Sequence, residues 1–490
     1  MVASANSNDM NGPTAESANS VLPAIKLSMG LGGLVLVLLM LFGLCMRLAQ
    51  GGLLSIEPTL FYEIMTAHGA GMVGTAALTG AAIMWFFLAR HVQLIGAVYW
   101  LMLALFLLGV ALILGAIFVG GFAGAWTFLY PLPAHSGGVW EVGAAAAFLA
   151  GLISIGVGFL LFYLEIGRAI IARYGNLSRA LAWPLLFGGS QDDVPPPTVV
   201  ASAAVIVFNG IGVIVGAAVL VISLINLFAP GFDIDPLLAK NMIYFFGHVF
   251  INATIYMAVI AVYEIIPEYT GRPWKTSRIF AAAWSAILLM VLAVYPHHLL
   301  QDTVMPGWAL VMGQVISYLA GLPVIVVTAF SLLAYLNRSG IRWDLASALL
   351  VTGVFGWSAG VVPAIIDAVI VVNKVMHNTL WVPGHFHFYL LLGEMAMAFG
   401  FMAWLTRARA ADDLSGANYW GFLAYLIGGL GVAVMFLIGG AMSVPRRWAV
   451  HLPEWLIQDR VGSLFAVISI IGTVVLLGRY VTRALAAARA

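Results

Sequence analysis

The chain has 490 residues, 63% of them hydrophobic and only 8% charged, with a mean hydropathy of +1.04. Soluble globular domains carry about a quarter of their residues as Asp, Glu, Lys and Arg, so this composition excludes an ordinary soluble enzyme and describes an integral membrane protein. The formal net charge of +1 argues against nucleic acid as a partner.

In chain order, residues 1–24 contain Ser, Asn, Asp and Pro without an apolar core and are expected to form a disordered N-terminal tail. Residues 25–490 are expected to fold as a single polytopic domain. Apolar segments follow near 27–49, 62–89, 94–120, 139–165, 198–228, 240–266, 278–300, 307–336, 344–373, 380–406, 418–442 and 462–487. Each is long enough to cross a hydrocarbon core about 30 Å thick at about 1.5 Å per residue, and the first is too long for a signal-peptide core. Backbone groups in lipid must find partners within their own segment, so the expected fold is an all-α bundle of twelve transmembrane helices. The single Cys45, inside the first segment, excludes an internal disulfide, a dicysteine copper centre and a covalent heme site of the Cys-x-x-Cys-His kind.

Lys and Arg are retained on the cytoplasmic side of short loops. With the N-terminus inside, fifteen of the 21 basic residues, Arg90, Arg168, Arg272 and Arg409 among them, fall on that side. Arg47, Lys240, Lys374, Arg446, Arg447 and Arg460 fall on the other. The expectation is a multi-pass protein of the cell inner (plasma) membrane with both termini cytoplasmic.

Seven of the ten histidines then share one depth, in the outer half of the bilayer: His68, His248, His297, His298, His377, His385 and His387. An intramembrane imidazole is costly and needs a reason, and neutral imidazole is the commonest metal and heme-iron ligand. His385 and His387 lie two residues apart, so on a helix of 3.6 residues per turn they point roughly 200° apart. They do not share a metal, but each can serve a cofactor on its own helix face. His297 and His298 follow Pro296 at a helix end, where distorted backbone lets neighbouring side chains converge. With His248 they make a three-imidazole site suited to copper and open to a further ligand; the plainer alternative is a polar cap on the helix. His68 stands among small residues, His68-Gly69-Ala70-Gly71, where a flat macrocycle can approach the backbone or two helices can cross closely.

Four motifs occur in order: Gly247-His248; Tyr295-Pro296-His297-His298; the run from His377 through Trp381-Val382-Pro383-Gly384-His385-Phe386-His387; and Arg446-Arg447. Across residues 27–487 the chain resembles subunit I of the heme–copper oxidase superfamily, most closely its B-type branch. The resemblance implies two hemes and one copper ion, CuB. His68 and His387 would hold a low-spin heme and His385 a high-spin heme, with His248, His297 and His298 on CuB facing it. Arg446 and Arg447 are expected at the heme propionates, with His377 near one of them. It also implies an electron-entry subunit II with a periplasmic domain, a cytochrome c or small copper protein as donor, and membrane lipid around the bundle.

One departure bears on the substrate. B-type oxygen reductases carry a redox-active tyrosine one turn after the first copper histidine, where this chain has Asn252. The C-type branch places its tyrosine six residues before the histidine pair, where this chain has Val291. Tyr295, immediately beside the pair, and Tyr256, two turns below His248, match neither pattern; the plainer alternative is an ordinary substitution at Asn252 compensated by one of these two tyrosines. Reducing dioxygen takes four electrons, while joining two NO molecules into N2O takes two, so the resemblance as modified here favours nitric oxide reductase over cytochrome c oxidase. Tyr256 and Tyr263 lie two turns apart on one face of the sixth segment and are candidates for proton transfer with Glu264, which is equally suited to be an interfacial anchor. A twelve-span secondary transporter shares the hydropathy but has no use for histidines gathered at one level.

Overall fold

The computed structural model describes residues 13–126, 129–188, 193–407 and 414–489. Residues 1–12 of the expected tail and Arg409 lie outside them. Among the described residues the secondary structure is helical, apart from one isolated β-bridge between Thr379 and Pro445. Twelve helices among the described residues are long and apolar enough to cross a membrane, and the chain is a multi-pass membrane protein. Spans 1 to 6 are Ser20–Gln50, Pro58–Leu88, Gly96–Phe118, Val142–Tyr174, Pro197–Phe228 and Pro236–Thr270. Spans 7 to 12 are Arg278–Leu299, Gly307–Leu336, Leu345–Asp367, Trp381–Leu405, Gly416–Ala441 and Pro453–Ala486.

Local chemistry sets many of the ends. Pro58, Pro197 and Pro236 occupy first-turn positions, where a missing N–H costs nothing. The Asp235 carboxylate accepts from the Leu238 amide at 2.7 Å, and Ser277 accepts from Phe280 at 3.2 Å. Asp344 and Ser347 form a reciprocal capping box before span 9.

Three boundaries differ from the sequence reading. The first helix runs Pro13–Gln50, starting inside the stretch assigned to the tail, because apolar Val21, Ala24 and Ile25 are buried in the main core. Span 9 stops at Asp367 rather than near 373. There Asn373 Nδ2 donates to the Asp367 carbonyl at 2.7 Å and Gln314 accepts from the Ile370 amide at 2.8 Å, so side chains take over backbone bonds and a short second helix, Ile370–Met376, follows. Span 12 starts earlier than its apolar run because Asp459 in its first turns is buried against Arg47 at 2.6 Å.

Spans 6 and 10 form the centre, with 83% and 89% of their apolar windows buried, against 28% and 24% for spans 1 and 8. Chain neighbours pack pairwise, 3 on 4, 5 on 6, 9 on 10 and 11 on 12, and span 12 returns against span 1. Some pairs approach at the backbone: a Cβ on Gly109 would lie 2.5 Å from the Gly151 carbonyl oxygen, so glycine is what allows spans 3 and 4 their contact. Span 10 is irregular. It is α-helical over Trp381–Phe386, π-helical over His387–Met395, and α-helical again over Ala396–Leu405. Such wide turns often mark functional sites.

Candidate metal centre

Span 10 crosses one continuous cavity of about 380 Å³. His68, His248, His297, His298, His377, His385, His387, Arg446, Arg447, Asn252 and Tyr256 all line it. The shared depth read from the sequence is therefore a shared chamber, fed by spans 2, 6, 7 and 10, by the connection between spans 9 and 10 that carries His377, and by the loop between spans 11 and 12.

The ring nitrogens show how each imidazole is set. His68 Nδ1 lies 2.7 Å from the Leu39 carbonyl oxygen, His385 Nδ1 2.9 Å from that of Gly360, and His387 Nδ1 2.7 Å from that of Pro383. A carbonyl oxygen only accepts, so each Nδ1 carries the proton and each Nε2 keeps a free lone pair. This is how a ligating histidine is oriented by its surroundings. The partners also separate the pair on span 10. His385 reaches span 9 and packs against Tyr389, while the His387 ring packs on Phe436 of span 11, ring centres 4.8 Å apart.

His248, His297 and His298 form a second group. One nitrogen from each lies within 4.8 Å of the others, so the three could hold one metal ion. His248 Nδ1 is 3.1 Å from His298 Nε2, which is 3.0 Å from His297 Nε2. Ligands about 2.0 Å from a tetrahedral ion stand about 3.3 Å apart, close to these spacings. His297 Nδ1 donates to Ser317 Oγ at 2.7 Å, whose own proton goes to the Gly313 carbonyl at 2.7 Å. Asn252 Nδ2 stands 2.9 Å from His248 Nε2, and the Tyr244 ring stacks on His298 at 5.5 Å and 18°.

Two guanidinium groups close the chamber. The Arg446 amide donates to the Asn378 carbonyl at 3.1 Å and the Leu380 amide to the Val444 carbonyl at 2.8 Å, so short backbone bonds pin this loop to the start of span 10. The Nε atoms of Arg446 and Arg447 are buried without a hydrogen-bond partner among the described residues. Burial, then the neighbouring Arg447, pushes the Arg446 guanidinium down to about 10. Two desolvated cations side by side call for anions between them. His377 lines the same end, with Nδ1 3.2 Å from Asp367 Oδ2.

Three candidates of the sequence reading, Tyr295, Tyr263 and Glu264, stand outside the lining. The Tyr295 hydroxyl donates to Asn241 Oδ1 at 3.1 Å, and the Tyr263 hydroxyl meets Thr328 Oγ1 at 2.9 Å. Tyr256 and Tyr263 do share a helix face, since both rings pack on Trp284. Glu264 bonds Thr198 and lies 3.2 Å from His91 Nε2. Sequence reasoning missed Tyr244, Ser317, Tyr389 and the buried group of Arg47, Asp459 and His451, where Asp459 meets His451 Nδ1 at 2.7 Å. It also passed over Glu394, although a carboxyl deep in an apolar segment is itself a signal.

Fold and chamber together define a polytopic membrane protein that gathers imidazoles in an apolar interior. Residues 24–475 match the family described as cytochrome c and quinol oxidase polypeptide I. The chain belongs to that family, the subunit I of heme–copper oxidases, whose members carry heme and copper. Cytochrome c oxidase subunit 1 of Thermus thermophilus is 26% identical over 257 residues, which cover 48% of this chain and 45% of that one. Cytochrome c oxidase subunit 1 of a Synechocystis strain is 25% identical over 424 residues, covering 82% of this chain and 72% of that one. The match thus spans less than half of the Thermus protein. A solved heme–copper terminal oxidase dimer shares the fold, with a TM-score of 0.76 at 21% identity over 94% of this chain and 84% of that one.

The residues fit the family's groups on their own chemistry. Three imidazoles keep Nε2 free toward the chamber, three more converge on one point, and two guanidinium Nε atoms lack the anion that propionates would supply.

Proposed function

We propose that this chain is the catalytic subunit of a respiratory reductase of the B-type lineage that converts nitric oxide to nitrous oxide, 2 NO + 2 H⁺ + 2 e⁻ → N2O + H2O. In this reading His68 and His387 hold the low-spin heme, His385 the high-spin heme, and His248, His297 and His298 the copper. When bound, the hemes deliver electrons and the heme–copper pair polarises the N–O groups. The protein orients the ligands through carbonyl hydrogen bonds, keeps the chamber apolar, and offers Arg446 and Arg447 to propionates as charge-assisted donors.

The observation that carries the substrate choice is Asn252, whose amide lies 2.9 Å from His248 Nε2. Where a redox-active phenol would give an electron and a proton to cleave O–O, this chain presents an amide with neither. Of the two tyrosines that could compensate, Tyr295 has its hydroxyl engaged by Asn241 outside the lining, and Tyr256, which does line the chamber, lies two turns from His248. Oxygen reduction to water is the second reading. It is favoured by the Tyr244 ring stacked on His298 and by relatives named cytochrome c oxidase.

Electrons would enter from a subunit II with a periplasmic domain, fed by cytochrome c or a small copper protein. The termini would face the cytoplasm of a plasma membrane. Steady-state turnover with NO and with O2 on one preparation separates the readings: N2O formation outpacing O2 consumption is expected, and fast O2 consumption with negligible N2O would sink the assignment.

A further inference from the structure

We propose that Glu394, a carboxyl that nothing above has used, is the group that holds the proton for the reductive site and passes it on through Thr254. Its side chain is fully buried in span 10, and Oε1 has no hydrogen-bond partner among the described residues. Glu394 and Thr254 stand just outside the chamber lining: Leu391, three residues before Glu394, lines the cavity, and so does Ile251, three residues before Thr254 on span 6.

A count of protons at Thr254 assigns the state of this carboxyl. Thr254 Oγ1 lies 2.7 Å from the Ile251 carbonyl oxygen and 2.7 Å from Glu394 Oε2. The hydroxyl has one proton and the carbonyl only accepts. Both contacts are hydrogen bonds at once only when Thr254 donates to Ile251 and Glu394, carrying a proton, donates it to Oγ1. An ionised carboxylate with a single donor and no cation would be an uncompensated charge in the bundle centre. On span 2 the Thr79 hydroxyl donates to the Thr75 carbonyl at 3.0 Å and lies 4.0 Å from the sulfur of Met395, the residue after Glu394.

The π-helical stretch puts Glu394 there. In a regular α-helix a residue seven positions after His387 returns to within about 20° of the same face, toward spans 2 and 11. The wider turns over His387–Met395 swing it to span 6, which also carries His248 and Asn252.

The transfer balances. The Glu394 O–H bond breaks as Thr254 Oγ1 takes the proton; the hydroxyl's former proton, turned off the Ile251 carbonyl, enters the chamber and ends on the oxygen that leaves as water. The carboxylate regains a proton from bulk water at Oε1, so each turnover of the relay moves one proton from water to the leaving oxygen. The inference rests on the proposed function only in that the site consumes protons, which reduction of NO and of O2 both do.

The test uses the intact complex carrying Glu394→Gln, Glu394→Asp, Thr254→Val or Thr254→Ser. It measures heme absorption, the redox-induced infrared difference spectrum, and turnover with each substrate. Glu394→Gln is expected to keep both heme signals, to lose one carboxylic C=O band, and to slow turnover with whichever substrate the enzyme uses by roughly tenfold or more. Glu394→Asp and Thr254→Ser should restore a large part of the rate that Gln and Val remove. Turnover within about twofold of wild type in Glu394→Gln, an unchanged carboxylic band, or heme loss shared by Gln and Asp would each overturn the proposal. Failure of the nitric oxide assignment leaves a different mark, O2 turnover with the same dependence on Glu394.

Discussion

The two faces of span 10 meet their partners in different ways. On one face His387, together with His68 across the chamber, is oriented by a backbone carbonyl, a partner that does not move without the helix. On the other face His385 is oriented in the same way by the Gly360 carbonyl, but His248, His297 and His298 of spans 6 and 7 touch chiefly one another and two side chains, Asn252 and Ser317. The first face is pre-set by the fold. On the second only His385 is pre-set by backbone, and the three-imidazole group is tuned by side chains and completed by what binds it.

Breaking the carbonyl-oriented face should have the largest effect. His387→Ala is expected to remove the low-spin heme, read as loss of one heme per chain in the reduced-minus-oxidised spectrum, with turnover abolished. The other face should behave as a separate unit: His298→Ala is expected to retain both hemes while metal analysis finds no copper and turnover falls below detection. Coordinated loss of heme and copper in either variant would end the distinction between the faces.

Side-chain tuning predicts smaller changes. Asn252→Tyr should slow NO reduction if the amide lines the reaction space; an unchanged rate would remove Asn252 from the site. Ser317→Ala takes the acceptor from His297 Nδ1, and losing such a partner costs about 10- to 100-fold in metal affinity or activity, measurable by competition with a copper chelator.

The smallest effect concerns the corner that carries the histidine pair. Lys240 of span 6 donates to Asp302 Oδ2 at 2.7 Å, and this hydrogen bond holds the Asp302 carboxyl below its ordinary range. A depressed carboxyl contributes stability above its unfolded pKa, about 3.9, and loses it as pH falls through the folded value. Asp302→Asn should therefore lower stability at neutral pH by under about 1 kcal/mol, and the difference from wild type in thermal unfolding should vanish under strongly acid conditions.

Much of the chamber was legible because polar residues in apolar segments are conspicuous. Helical periodicity alone separated His385 from His387, and segment order alone brought His68, His248 and the Pro296 corner to one level. Residues that need a neighbour to acquire meaning stayed hidden. Arg47 reads as a loop-side cation until Asp459 of span 12 lies against it, and Ser317 reads as one more hydroxyl until His297 reaches it. Tyr295 shows the converse: its position beside the pair suggested a role in the site, but the backbone turns its hydroxyl to Asn241.

By itself, the order of residues determined the twelve crossings, the depth of the histidines and the membership of the family. Hydrophobic length and the 3.6-residue period are local properties, and the transfer of twenty apolar residues into lipid outweighs any neighbour's preference. Which side chains meet was decided only by tertiary structure. The π-helical turns of span 10 break the local period just after His387, and their rotation, invisible in the sequence, is what carries Glu394 from the His387 face to Thr254.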